Sequence, residues 1–208
     1  MSSQIIEGKT GKESGMKGLW IALGVVGVIV LVILLIFGSY VGAKNQMVQL
    51  NADVDQSWSQ VQIVQQRRAD LIPNLVETVK GYTKEESTVL TNIANARAGV
   101  ISAPDRPSSI AANGKLDLAL VQFQRLQENY PQLQSNQQFM RLQDELAGTE
   151  NRIAVERGRY NNALKAYNVY VQQFPNSIWA NMAGFHFRDE YYKEQAGSEN
   201  APKIDFSH

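Results

Sequence analysis

Residues 19–37 read LWIALGVVGVIVLVILLIF, nineteen positions without a charge, interrupted only by Gly24 and Gly27. The charge-free window is wider still, running from Lys17 to Lys44. A helix rises ~1.5 Å per residue and the hydrocarbon core of a bilayer is ~30 Å thick, so about 20 apolar residues suffice to cross it. The β-branched residues Val25, Val26, Val28, Ile29, Val30, Val32 and Ile33 would suit a buried strand in a short run. This run is too long for one, and inside lipid an open strand leaves its backbone groups unsatisfied where a helix does not. Trp20 and Tyr40 sit at the two ends, where amphipathic rings favour the headgroup region. The sequence therefore predicts a transmembrane helix over 19–43, after a short polar segment, 1–18.

A cleaved secretory signal is the competing reading. Its apolar region spans only ~7–15 residues, although Val41-Gly42-Ala43 does resemble a small-residue cleavage site. Orientation follows from the flanking basic residues: Lys9, Lys12 and Lys17 precede the span, and Lys44 is the only one after it until Arg67. That asymmetry favours a cytoplasmic N-terminus and a large domain outside. Gly38 and Gly42 form a G-x-x-x-G, a spacing that lets two transmembrane helices approach closely, though ordinary glycine usage produces it as well.

Composition then narrows the chemistry. The chain has 208 residues, 20 Lys or Arg, 20 Asp or Glu, 2 His and no Cys. Without residues 1–18, which hold three Lys and two Glu, 17 basic and 18 acidic groups remain. Nothing there forms a basic block for phosphates, so no nucleic-acid partner is expected. The lack of Cys excludes disulfides, a thiolate nucleophile and Cys-ligated metal. With only His186 and His208, a His-rich metal site or a Ser-His-Asp triad has no basis. No H-E-x-x-H, G-x-S-x-G, P-loop or G-x-G-x-x-G is present, and Glu-x-x-His, which bundle di-iron sites need, is absent. His186 has only Asp189 and Glu190 nearby in the chain. No catalytic residue, cofactor or metal ligand is assigned.

Beyond the span the pattern is all-α. Periodicity and prolines predict helices at about 45–101, 115–130, 133–174 and 176–194, joined by a turn-rich linker, SAPDRPSSIAANG, over 102–114. Residues 195–208 read as a flexible polar tail. In the third helix Phe139, Leu142, Leu146, Thr149, Ile153, Glu156, Tyr160, Ala163, Tyr167, Tyr170 and Phe174 recur in steps of three and four. In the first, Val54, Trp58, Val61, Ile72, Leu75, Val79, Tyr82, Val89, Ile93 and Val100 form a comparable line. The fold expected is an N-terminal transmembrane helix followed by a long antiparallel bundle of three to four helices over 44–194. A helix over 45–101 would run ~85 Å against ~24 Å for 115–130. It must either break, with Gly81-Tyr82-Thr83 the natural place, or leave its membrane-proximal part clear as a stalk. Pro73 alone among the prolines falls inside a strongly periodic stretch and is a candidate kink.

Several polar residues land where apolar ones belong. Arg68 lies on the first helix's apolar line, Glu156 occupies a core-type position in the third, and Glu150 and Arg157 lie beside that line. A desolvated guanidinium is costly unless a carboxylate meets it. An inter-helix polar network joining Arg67 or Arg68 to Glu150 or Glu156, with Arg157 alongside, would fix helix register. The alternative is that these long side chains reach solvent from the rim of the seam. Tyr160, Tyr167 and Tyr170 read as packing rings with a polar tip.

The first helix also carries a resemblance. Gln46-Met47-Val48 through Asp53, then Trp58-Ser59-Gln60-Val61, then RRADLIPNLVETVKGY over 67–82 is similar to the signature of the LemA family. Ala96-Arg97, Glu128-Asn129-Tyr130-Pro131, Thr149-Glu150-Asn151-Arg152-Ile153-Ala154, Arg159-Tyr160-Asn161 and Phe174-Pro175 extend it across about residues 20–187. The resemblance implies a bacterial membrane protein with one N-terminal span and a helical-bundle domain, and transfers no catalytic or ligand residue. The family includes a magnetosome-associated branch, which makes membrane organisation a theme. The function expected is a scaffold or adaptor at the inner membrane, with the lipid bilayer, membrane or envelope proteins and further copies of itself as partners. The alternatives are lateral self-assembly that shapes membrane and, last, an enzyme or metal protein. Gln122, Gln124, Gln127, Gln132, Gln134, Gln137 and Gln138 would offer a docking face, or simply a solvated one.

Overall fold

The computed structural model describes residues 10–82 and 87–193. Five helices and one 3-10 turn follow in order: α1 (Thr10–Lys80), α2 (Ser87–Ser102), α3 (Arg106–Asn129), the turn Pro131–Ser135, α4 (Gln137–Gln172) and α5 (Asn176–Ala183). No strand occurs among the described residues. The expected tail, 195–208, lies outside them, as do residues 1–9 of the N-terminal segment.

α1 has 71 residues, or roughly 105 Å of helix. Its first part, Leu19 to Phe37, packs against nothing among the described residues, and every large apolar side chain there is exposed. From Ala43 onward the same helix becomes one wall of the bundle. Ala43, Met47, Val54, Trp58, Val61, Gln65, Arg68, Ile72, Leu75 and Val79 are buried, in steps of three, four or seven that keep one face turned inward. α4 lies along that face. Near the membrane the core comprises Met47, Val54, Trp58 and Val61 with Tyr160, Leu164, Tyr167, Val171 and Ala180. Further out, Ile72, Leu75 and Val79 pack with Leu90 and Ile93 of α2, Leu116 and Phe123 of α3, and Phe139, Leu142 and Leu146 of α4.

Of the two outcomes that its length left open, the first helix takes the break. α1 ends at Lys80, and the amide of Tyr82 closes a turn on the Val79 carbonyl at 2.8 Å. No stalk stands clear, because burial begins at Ala43, six residues beyond Phe37. Three boundaries differ from the sequence reading. The linker assigned to 102–114 shrinks to 103–105, since α3 already starts at Arg106. Asp105 accepts the Ser108 amide at 2.8 Å as a helix cap, and Pro107 suits a first helical turn. Asp, Pro and Ser open helices as readily as they make turns, so the residues were legible and their role was not. The third helix starts at Gln137 rather than 133, because the Asn136 carboxamide caps the amides of Gln138 and Phe139. The last helix stops at Ala183, not 194: Gly184 takes φ 78°, a left-handed conformation that glycine adopts without Cβ strain. After it, residues 185–193 run as a non-helical strap over α4 and α1.

Candidate functional site

Between the two apolar clusters lies a polar layer. Arg68 of α1 is 1% exposed and is the largest fully buried side chain. Its Nη1 donates to Asp117 Oδ1 of α3 at 2.6 Å and to Glu150 Oε2 of α4 at 2.7 Å, and its Nη2 donates to Asn113 Oδ1 at 3.1 Å. Asp117 accepts a second guanidinium on its other oxygen, from Arg157 Nη2 at 3.2 Å. Two cations thus meet two carboxylates, and three side chains, two from α3 and one from α4, converge on Arg68 of α1. Arg157 also lies over the ring of Tyr192, 5.0 Å from its centre, and Gln65 donates to the Tyr192 hydroxyl at 2.9 Å. Burial raises the Tyr192 phenol pKa above its ordinary value, against the Gln65 hydrogen bond and the Arg157 charge, which lower it.

The strap builds a second network nearer the membrane. Arg106 bonds Asp55 at 2.6 Å and Glu190 at 3.4 Å, while Arg188 bonds Glu190 at 2.9 Å and Asn51 Oδ1 at 3.0 Å. Asn168 and Asn161 of α4 hold the strap's backbone. Asn168 Nδ2 donates to the Arg188 carbonyl at 2.7 Å and Asn161 Nδ2 to that of Tyr192 at 2.8 Å, and each carboxamide oxygen accepts the same residue's amide. Tyr160 lies beneath, tilted on Trp58 at 5.3 Å. Burial and then the negative charge of Glu190 raise its pKa. Tyr167 is raised by burial and donates to the His186 carbonyl at 3.0 Å.

The sequence-derived candidates therefore part company. Arg68, Glu150 and Arg157 share the polar layer. Arg67 sits on the surface with Glu145 at 2.9 Å, and Glu156 bonds Arg159 one turn on within α4. Asp117 and Asn113 were missed because they fall where the sequence reading placed a linker and the start of a helix. Pro73 lies inside α1 on its exposed side, and Gly38 and Gly42 are exposed with open space where a Cβ would be. The glutamines Gln122, Gln124, Gln132, Gln134, Gln137 and Gln138 are exposed, and the side chain of Gln127 lies outside the described set.

Chemically, these groups clamp. Each carboxylate of the polar layer is already engaged by a guanidinium, and the buried tyrosines hold their protons more firmly than ordinary phenols. Among the described residues no group of three or more His, Asp or Glu is placed to hold a metal ion. A cavity of about 380 Å³ opens beside Arg68 and Glu150 between α3 and α4, lined also by Phe123 and Leu146. A shallower one of about 740 Å³ separates α2 from α3.

An exposed apolar helix of membrane-crossing length, continuous with a bundle clamped by ion pairs, defines a membrane-associated helical-bundle protein. The chain belongs to the LemA family, whose sequence model matches residues 57–206. That match reaches into the tail, beyond the residues that carried the likeness by inspection. The chain is also similar to magnetosome protein MamQ 2 of Paramagnetospirillum magneticum, at 24% identity over 181 positions covering 74% of this chain and 66% of the relative. Magnetosome protein MamQ of Magnetospirillum gryphiswaldense is 23% identical over the same shares. Protein LemA of Metamycoplasma hominis is 22% identical over 143 positions, 68% of this chain and 64% of the relative. The chain thus spans just under two thirds of the length of these relatives.

Proposed function

We propose that the protein is a scaffold or adaptor that presents a rigid helical bundle at the inner membrane, N-terminus in the cytoplasm and bundle outside. The observation that carries this reading is the unbroken passage of α1 from its exposed apolar part into the bundle core. A helix that does not break between bilayer and bundle fixes the bundle's height and tilt, which a docking platform needs and a tethered enzyme does not. The ion-paired, proton-holding polar groups support a structural rather than a catalytic interior. In-cell crosslinking of the full chain followed by membrane pull-down tests it: discrete partner proteins are expected, and recovery of the chain without any crosslinked partner contradicts it. A thiol probe on Leu118→Cys, an exposed site on α3, should label from the outside of intact cells; labelling only after lysis reverses the orientation.

Lateral self-assembly is the second reading. Gly38 and Gly42, open on one helix edge, favour it, as does similarity to proteins named for the magnetosome. Large ordered assemblies in mild detergent would support it over the adaptor, and monomers or dimers would oppose it.

A further inference from the structure

Several exposed apolar side chains gather at the membrane-proximal end of the bundle. Phe174, Ile178 and Met182 are 79%, 48% and 68% exposed and recur at intervals of four, on one side of α5 and the turn before it. On the opposite side Ala180 is buried and Trp179 packs inward. α5 is thus a short two-faced helix whose apolar outer face meets nothing among the described residues.

Its height relative to the span is fixed. The Trp179 ring meets Tyr40 of α1 edge-on at 5.7 Å, and Ala180 shares a core with Ala43 and Met47. Tyr40 follows the last residue of the apolar run, Phe37, by three residues, an axial rise of ~4.5 Å. The headgroup layer on each side of the hydrocarbon is ~5–8 Å deep, so the edge of α5 that meets Tyr40 lies within that layer. Charge agrees with position: from Ala166 to Phe187, twenty-two residues, the chain has no Lys, Arg, Asp or Glu. A water-facing surface has no reason to exclude charge over that length, whereas lipid contact penalises it.

The geometry points to a second membrane contact: α5 and the turn before it lie in the headgroup layer of the leaflet from which α1 emerges, with Phe174, Ile178 and Met182 lodged among the lipids. This rests on α1 crossing the bilayer. The contact braces the bundle at a second point beside the span and opposes tilting about Tyr40.

The chain has no Cys, so single cysteines report cleanly. The full chain carrying Ile178→Cys, Met182→Cys, Leu31→Cys or Leu118→Cys is labelled with a small fluorophore. It is then reconstituted at low protein density in phosphatidylcholine–phosphatidylglycerol vesicles. Labels at 178 and 182 should lose roughly half their emission to a lipid bearing a nitroxide near the headgroup and little to aqueous iodide, as for an interfacial helix. The Leu31 label should respond to a nitroxide deep in the acyl chain, and the Leu118 label to iodide alone. Iodide quenching at 178 and 182 with Leu31 still deep overturns the second contact and leaves the span intact. Shielding from both quenchers would mean that another protein copy covers the face, which also overturns it. A Leu31 label open to iodide refutes the span and this contact together.

Discussion

Arg68 is the residue on which the bundle's register turns. A guanidinium this deeply buried is tolerable because Asp117, Glu150 and Asn113 engage both of its terminal nitrogens, and removing it leaves Asp117, whose side chain is 10% exposed, with Arg157 alone. Breaking a buried pair in this way costs roughly 3–5 kcal/mol. Arg68→Met should therefore lower the urea midpoint strongly. Arg67→Met, which removes an ion pair 64% and 50% exposed, should change stability by less than about 1 kcal/mol. Equal effects of the two substitutions would refute the assignment. The buried tyrosines predict alkaline behaviour. Tyr160, Tyr167 and Tyr192 all hold their protons above the ordinary phenol pKa, so the unfolded chain releases protons first. Stability from these groups is fully present below pH ~10 and is lost as pH rises through their folded values. Melting temperature followed by circular dichroism should fall above pH ~10, and Tyr160→Phe should make that fall shallower. An identical fall in the variant would contradict the burial effect at Tyr160.

At the scale of the helix, Pro73 and Arg97 form one device. Proline has no amide hydrogen, so the carbonyl four residues earlier, that of Ala69, loses its helical donor. Ala69 is fully buried, and Arg97 Nε of α2 donates to its carbonyl at 2.8 Å. The packed α2 supplies from outside what the proline removed from within, and α1 continues to Lys80. Arg97→Met should cost about 1–3 kcal/mol by orphaning a buried acceptor. In a Pro73→Ala background the helix can supply its own amide, so the same substitution should cost much less. Additive losses across this double-mutant cycle, measured by urea unfolding, would mean that the two are not coupled. Pro73 was legible in the sequence as a possible kink, but its partner was not, because α2 is twenty-odd residues away and nothing local shows which arginine lies over residue 69. The same limit applies to Arg68. Its misplacement on an apolar line was visible, and Glu150 was among the partners named, while Asp117 and Asn113 were hidden by reading Asp105, Pro107 and Ser108 as a turn rather than a helix start.

For the molecule as a whole, the pattern of one apolar run and long 3–4 seams was enough to predict a membrane helix and an all-α domain, because hydrophobic period and length act locally. Length arithmetic left a break near Gly81 or a free stalk as alternatives, and the turn after Lys80 is the one the fold takes. The strap over 185–193 was not legible: it is held by Asn161 and Asn168, whose carboxamides bind its backbone, and a segment fixed by side-chain contacts has no periodicity to read. The central claim is that one unbroken helix carries the chain from bilayer to bundle. Spin labels on cysteines replacing Leu31 and Gln56, both exposed and twenty-five residues apart on α1, test it directly in full-length protein in lipid nanodiscs. Electron–electron distance measurement should give a single narrow distribution near ~38 Å, the axial length of a straight helix. A broad or markedly shorter distribution would mean that the helix breaks at the membrane surface and that the bundle hangs on a flexible tether.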